Sequence, residues 1–96
     1  MPKKYPTLTP HQVIAILQAR GFVQIRVRGS HATYQATIRG IRRSVTVDLH
    51  YDEYSVRRIR DMMDQAGLSR EEFYGSTKAT AKKINLRASR YPIPLE

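Results

Sequence analysis

The stretch from Phe22 to His50, FVQIRVRGSHATYQATIRGIRRSVTVDLH, carries the clearest structural signal in the chain, because apolar and polar residues alternate along it. A period of two is typical of β-strands that bury one face and expose the other. Gly29 and Gly40 interrupt the alternation and predict two tight turns, so the stretch divides into three strands. Such short connections favour antiparallel pairing between consecutive strands.

The alternation assigns the side chains of the three strands to two faces. On the first strand Val23, Ile25 and Val27 share the apolar parity, and this face needs an apolar cover from elsewhere in the chain. The opposite face is expected to be polar and open. Its predicted members are Gln24, Arg26, Arg28, His31, Thr33, Gln35, Thr37, Thr46, Asp48 and His50.

Two helices flank the strands and can supply that cover. The first is predicted over about residues 10–20, where Thr9 is the N-cap and Gln12 completes a capping box. The second begins after Ser55 and ends at Gly67, with apolar residues at helical spacing on one face. Both helices are expected to pack on the same face of the sheet.

The remainder of the chain is predicted to add little to this core. A capping box formed by Ser69 and Glu72 begins a short third helix that ends near residue 75. Residues 76–96 are interpreted as a basic tail that is partly disordered or helical and contributes little apolar surface. The prediction is therefore an α+β domain over residues 8–75. Its order is helix, three-stranded antiparallel sheet and helix, as in double-stranded-RNA-binding-like folds, followed by the short third helix and the basic C-terminal tail.

The charge of the chain indicates a polyanionic partner. Seventeen Lys and Arg residues against eight Asp and Glu residues give a formal net charge of +9. Residues 1–47 and 73–95 contain no acid, so an acidic island lies between two basic arms. Excess positive charge attracts polyanions over about 8 Å at physiological salt, and nucleic acid is the commonest such partner. Charge kept for solubility is the alternative.

Other classes of protein receive less support. The chain has no cysteine, which excludes disulfides and thiolate metal sites. No stretch reaches transmembrane length, and residues 1–6 are not followed by an apolar run of signal-peptide length. No segment opposes a Lys-rich face to a Trp/Phe-rich face, as an interfacial helix would. The expectation is a cytoplasmic protein without a membrane partner.

His31 is the residue best suited to catalysis. It follows the Gly29-Ser30 turn and shares the polar face with Arg26 and Arg28. An imidazole can take and return protons near neutral pH, and flanking guanidinium groups can hold the charge that develops on a phosphate. The alternative is that His31 is merely polar surface at a turn.

Other residues are further candidates for catalysis or RNA binding. His50 is a candidate second acid or base, although it could equally cap the third strand. Asp48 and the two histidines do not form a convincing metal site, since such a site needs three or four converging ligands. Neither a metal nor a cofactor is expected. The candidate RNA-binding residues are Arg26, Arg28, Ser30, Arg42, Arg43, Lys82 and Lys83.

Several segments resemble the HicA-type mRNA interferase toxin family, and the similarity extends over about residues 8–75. The most specific are Gly29-Ser30-His31 and the run AGLSREEF from Ala66 to Phe73. The resemblance implies a double-stranded-RNA-binding-like fold and a ribosome-independent messenger-RNA endonuclease, with His31 in the place of the essential histidine. It also implies neutralisation by an antitoxin of the HicB type.

Asp48 departs from the family pattern, which usually has proline at this position. A carboxylate here would repel phosphate or orient a histidine, and the sequence leaves both roles open. With one histidine and no metal, the most consistent chemistry is transfer of the 2′-hydroxyl onto the adjacent phosphate, which only RNA allows. A non-catalytic nucleic-acid-binding module and a protein-interaction subunit for an acidic partner remain as alternatives. The oligomeric state is left open.

Overall fold

The structure of the protein is a computed structural model that describes residues 3–96. Met1 and Pro2 belong to the N-terminal segment that was considered as a signal peptide, and they lie outside the described residues. The elements are, in chain order, α1 (Pro10–Ala19), β1 (Val23–Arg28), β2 (His31–Ile38), β3 (Ile41–Asp48), α2 (Val56–Ala66), α3 (Arg70–Tyr74) and α4 (Lys78–Lys82). Within residues 3–96 no helix is both long and apolar enough to cross a membrane.

The three strands form one antiparallel sheet in the order β1-β2-β3, so the predicted α+β architecture is confirmed. The core lies between one face of this sheet and the helices. It buries Ala32, Tyr34, Ile38, Val45 and Val47 from the sheet, Val13, Ile16 and Leu17 from α1, and Ile59, Met62, Met63 and Ala66 from α2. The opposite face of the sheet is left to the polar residues.

The first strand departs from the predicted alternation at a β-bulge. The register between β1 and β2 shifts at Ile25, which has no partner of its own. Gln24 is thereby placed opposite Tyr34 on the helix-covered face, where its Oε1 accepts a hydrogen bond from the Tyr34 hydroxyl at 3.3 Å. Val23 stands on the open face instead. The prediction of one continuous apolar face along β1 is wrong, because an inserted residue inverts the alternation on its far side.

The two edges of the sheet are protected differently. Beside β3, the backbone N–H of Thr46 donates to Oε1 of Gln65 at 3.3 Å, so α2 covers this edge. β1 forms the other edge, and all six of its residues are exposed. Val27 is 53% exposed even though it pairs with the buried Ala32. The helices therefore cover β2 and β3 and leave β1 outside the core.

The predicted helix signals are present at α1, α2 and α3. Thr9 and Gln12 form a capping box, in which the Thr9 hydroxyl accepts the Gln12 N–H at 3.2 Å and the Gln12 side chain accepts the Thr9 N–H at 2.9 Å. α2 ends at Gly67, whose φ of +70° is the left-handed conformation that glycine adopts without strain. Ser69 and Glu72 form the second capping box.

Glu72 is only 1% exposed, because several donors converge on its carboxylate. Besides the N–H of Ser69, the carboxylate receives an ion pair from Arg39 and a hydrogen bond from the backbone N–H of Glu96 at 2.8 Å. Burial alone would raise the pKa of Glu72, but these donors outweigh it and lower the pKa to about 2. Arg20 donates to the backbone oxygen of Glu72 at 2.7 Å, so α1 joins the same network.

Residues 76–96 pack more closely on the body than their composition predicts. A helix is present at Lys78–Lys82, within the segment predicted to be partly disordered or helical. Ala81 is fully buried and Ile84 is 9% exposed, so the segment adds apolar side chains to the core. The Lys83 ammonium donates to the backbone oxygen of Thr7 at 3.1 Å, which ties the segment to the N-terminal residues as well.

Candidate active site

The open face of the sheet brings three chemically complementary side chains into one row. His31 stands directly opposite Arg28 of β1 and directly opposite Asp48 of β3. Side chains paired in this way lie about 4.5–5.5 Å apart at their Cβ atoms, which is within reach of direct interaction. The row therefore places an imidazole between a guanidinium and a carboxylate.

The β1–β2 turn explains how His31 reaches this position. Gly29 has φ of +62°, a conformation that allows the chain to reverse within two residues. The backbone oxygen of Ser30 accepts the N–H of Leu49 at 2.7 Å, so the turn is also tied to the residue that follows β3. His31 begins β2 immediately after this fixed turn, and its side chain is 58% exposed.

Asp48 is the best-connected residue of the site. Its Oδ2 lies 3.3 Å from Nε2 of His31, while its Oδ1 accepts hydrogen bonds from the Ser30 hydroxyl and the His50 backbone N–H, both at 3.0 Å. These bonds, the backbone bond from His50 first, lower the pKa of Asp48 although partial burial opposes them. Asp48 is thus held as a carboxylate in a single orientation towards His31.

Tyr54 supports the same strand end from the core side. Its hydroxyl donates to the backbone oxygen of Asp48 at 2.6 Å, and the residue is only 2% exposed. Burial, together with the charge of Asp48, raises the pKa of Tyr54 to about 12, so the hydroxyl keeps its proton at neutral pH. Periodicity gave no signal for this contact, since Tyr54 lies outside the predicted strands and helices.

A second row lies beside the first and completes a shallow cleft. Arg26, Thr33 and Thr46 stand opposite one another across the three strands. The cleft has a volume of about 200 Å³ and is lined by Arg26, Arg28, His31, Thr33 and Thr46. Among residues 3–96, neither arginine has a carboxylate at ion-pair distance. Two uncompensated guanidinium groups beside an exposed imidazole are suited to an anionic ligand such as a phosphate.

The remaining candidates lie at various distances from this cleft. His50 reaches the site through its backbone N–H, whereas its ring packs edge-on against Tyr51 with centroids 5.9 Å apart. Arg42 lies on the open face opposite Thr37, six residues along β2 from His31 and hence about 20 Å away. Ser30, expected to contact RNA, directs its hydroxyl to Asp48.

The other three cations predicted to bind RNA are outside the open face. Arg43 packs against the end of α2, where a Cβ on Gly67 would come within 2.6 Å of its Nε. That Nε is buried and has no hydrogen-bond partner among the described residues. The Lys83 ammonium is bonded to a backbone oxygen, and Lys82 lies on α4. Their contribution to RNA binding stays a prediction.

In the part of the chain that the structure describes, no three His, Cys, Asp or Glu side chains are grouped so that they could hold a metal ion. Metal-independent chemistry remains an expectation from the sequence. The partners of His31 are instead charged and hydroxyl side chains, which can orient it and neutralise an anion.

Comparison with known proteins gives one match. The sequence model of a family described as the HicA toxin of bacterial toxin–antitoxin systems matches residues 10–68. This range contains α1, the whole sheet, α2 and every residue of the cleft. A search of the curated proteins finds no relative that matches.

Proposed function

The chain belongs to the HicA toxin family of bacterial toxin–antitoxin systems, and we propose that it is a metal-independent endoribonuclease that cleaves messenger RNA through His31. The observation that carries the proposal is the row of Arg28, His31 and Asp48 on the open face. This row combines a group that transfers protons, a group that orients it and a group that binds phosphate. Such roles are what cleavage of a phosphodiester requires.

The proposed reaction begins with the 2′-hydroxyl of the nucleotide held in the cleft. Nδ1 of His31 accepts the proton of this hydroxyl while its oxygen forms a bond to the adjacent phosphorus. The bond from phosphorus to the 5′-oxygen of the next nucleotide breaks, and this oxygen takes up a proton returned by the imidazole. The products are a 2′,3′-cyclic phosphate and a free 5′-hydroxyl. DNA lacks the attacking group and is not a substrate.

Asp48 supports the choice of Nδ1 as the reacting nitrogen. A carboxylate only accepts hydrogen bonds, and Oδ2 of Asp48 lies 3.3 Å from Nε2 of His31, so Asp48 stabilises the neutral imidazole that carries its proton on Nε2. Nδ1 is then free to accept. When the imidazole becomes protonated during the reaction, the same carboxylate stabilises its positive charge. A carboxylate that orients a catalytic histidine in this way is a recurrent device in hydrolytic enzymes.

Arg26 and Arg28 are proposed to stabilise the negative charge that develops on the phosphate oxygens. Arg26 and Arg28 line the cleft together with His31, and both are exposed. Their guanidinium groups can donate to the non-bridging oxygens, which become more negative in the transition state. They also offset the repulsion between the phosphate and Asp48. His50 is proposed as an auxiliary acid or base, which would require its ring to turn towards the cleft.

The test is cleavage of a defined RNA by the purified protein in excess chelator. We expect fragments that end in a 2′,3′-cyclic phosphate, and we expect the same sequence made with 2′-deoxyribose to remain intact. Folded protein that binds the RNA without cutting it would contradict the proposal and leave a nucleic-acid-binding module. Cleavage that disappears with chelator would contradict the metal-independent mechanism.

Membership of a toxin–antitoxin family implies an antitoxin partner, and we propose a protein of the HicB type that covers the open face. The antitoxin then acts by excluding RNA from the cleft around His31. Expression of the chain alone should arrest growth and deplete messenger RNA, and co-expression with the product of a neighbouring small reading frame should restore both. Unaffected growth at high expression would contradict the toxin role.

A further inference from the structure

A second concave and basic site lies at the other end of the chain, formed by α4 and the loop of residues 85–91. It is a cleft of about 660 Å³, within the range of about 300–1,000 Å³ typical of ligand sites. Its polar lining consists of Lys78, Lys82, Asn85, Arg87, Ser89 and Tyr91. None of these residues belongs to the range 10–68 that matches the toxin family.

The loop that builds this cleft is held in place from inside. The N–H of Leu86 donates to the backbone oxygen of Ala81 at 3.0 Å, which closes the loop onto α4. The Tyr91 hydroxyl accepts the N–H of Ala88 at 3.0 Å and donates to the oxygen of Leu86 at 3.3 Å. Beyond the loop, the N–H of Ile93 donates to a backbone oxygen of the body at 3.1 Å. The Tyr91 ring is therefore fixed at the wall of the cleft.

The charge of the cleft is uncompensated. Lys78, Lys82 and Arg87 are all exposed, and residues 73–95 contain no acid. Among the described residues, none of the three is within ion-pair distance of a carboxylate. The neighbouring Lys83 behaves differently, since its ammonium is engaged by the Thr7 backbone. Three free cations around one concave wall create a strong local attraction for anions.

We propose that this cleft is a second binding site for single-stranded RNA, which holds a short segment of the strand with one base against Tyr91 and three successive phosphates near Lys78, Lys82 and Arg87. Fixed aromatic rings beside cations are the usual elements of sites for single-stranded nucleic acid. An acidic protein segment would use the cations but has no group that requires the ring. The inference rests on the proposed function only in taking RNA as the substrate, because the cleft contributes binding and not chemistry.

The experiment measures binding of the full-length protein to a labelled, unstructured 2′-O-methyl RNA of about 12 nucleotides. This probe cannot undergo 2′-hydroxyl transfer, so binding is recorded whether or not the protein cleaves RNA. One variant combines Lys78→Gln, Lys82→Gln and Arg87→Gln. The matched control removes three exposed cations elsewhere, in Lys3→Gln, Arg57→Gln and Arg60→Gln. Both variants lose the same charge, and melting curves verify that both are folded.

We expect the cleft variant to bind RNA at least about ten-fold more weakly. The slope of log affinity against log salt should become less steep by about 2, since each of three phosphate contacts contributes about 0.7. The control should change the slope by less than about 0.5. Tyr91→Leu, which removes the ring, should weaken binding several-fold, and it should weaken it more than Tyr91→Phe, which keeps the ring but loses the hydroxyl bonds that fix it. Binding to polyglutamate, a model of an acidic protein segment, is measured with the same variants.

Equal losses of RNA affinity in the cleft and control variants would overturn the proposal. The proposal would also be overturned if the cleft variant lost affinity for polyglutamate as strongly as for RNA and Tyr91→Leu bound RNA as wild type does. The site would then fit an acidic protein.

Discussion

At the scale of single residues, the position of Asp48 decides which groups the His31 imidazole faces. The sequence left its carboxylate with two opposite roles, either repelling a phosphate or orienting a histidine. The structure places Oδ2 at 3.3 Å from the His31 imidazole and engages Oδ1 with two donors. A carboxylate restrained in this way favours the orienting role. The two roles predict opposite kinetic effects when the charge is removed.

Asp48→Asn should lower kcat by up to about 10⁴-fold, the cost of neutralising the carboxylate that orients a catalytic histidine in a serine protease. KM should stay constant or fall, because a negative charge beside the phosphate disappears. The measurement is steady-state cleavage of a defined RNA by wild type and variant, with Asp52→Asn, an exposed carboxylate outside the cleft, as control. A variant with increased kcat/KM would show that Asp48 only repels the substrate.

His31→Ala should abolish detectable cleavage and toxicity, since loss of a general acid or base lowers rates by about 10² to 10⁴. The side chain is 58% exposed, so its removal leaves no cavity in the core. The free energy of unfolding should change by no more than about 0.5 kcal/mol. RNA cleavage, RNA binding and thermal melting are measured together. Wild-type cleavage by the variant would remove His31 from the mechanism, and lost activity that accompanies unfolding would make it structural.

At the scale of secondary structure elements, α4 belongs energetically with the core. Ala81 is fully buried, Ile84 is 9% exposed, and the buried Thr80 hydroxyl donates to the backbone oxygen of Tyr74 at 2.6 Å. Removal of residues 76–96 would expose the apolar surface that these side chains cover. It would also leave Glu72 without the donor from Glu96. Truncation is therefore expected to destabilise the body, in contrast to the expectation from composition.

Ile84→Ala should reduce the free energy of unfolding by about 2 kcal/mol, the lower end of the range for truncation of a buried isoleucine, because some exposure remains. The measurement is urea denaturation followed by circular dichroism. Leu95→Ala, in which the replaced side chain is 37% exposed, serves as the comparison and should change stability much less. Equal and negligible effects would mean that residues 76–96 do not contribute to the stable core.

At the scale of the whole molecule, Glu72 joins parts of the chain that lie far apart in sequence. Its side chain interacts with the Arg39 guanidinium at the β2–β3 turn and with the backbone of Glu96, and its own backbone oxygen accepts from Arg20. The exposed basic surfaces lie outside this network. Glu72 thus links α1, the β2–β3 turn and the C-terminal residue, while most of the excess positive charge remains available for a polyanion.

This arrangement makes stability depend on pH. The pKa of Glu72 falls from about 4.5 to about 2 on folding, so its contribution is complete above pH 4.5 and is lost as the pH falls towards 2. The contribution is about 3 kcal/mol, since each pKa unit corresponds to about 1.36 kcal/mol. Glu72→Gln should lower stability at pH 7 and flatten its decline between pH 5 and pH 2. Chemical denaturation across this range measures both effects. The exposed Glu71→Gln is the control, and an identical pH dependence in both variants would contradict this assignment.

Local sequence patterns accounted for most of the elements and for the position of His31. Alternation, tight turns and capping boxes depend on residues within a few positions of one another, so β2, β3 and the starts of α1 and α3 could be predicted. The resemblance to the toxin family pointed independently to the same histidine. These predictions succeed because the backbone hydrogen bonds and side-chain periodicity of each element are local.

The features that local patterns could not supply are those that depend on how elements meet. The bulge at Ile25 is visible only in the register between β1 and β2, and it exchanged the faces of Val23 and Gln24. The contact between His31 and Asp48 joins residues on separate strands, and the burial of Ile84 requires the assembled core. Contacts of this kind are set by strand register and by packing between distant segments. Neither leaves a periodic trace in the sequence, because the partners are brought together only when the chain folds.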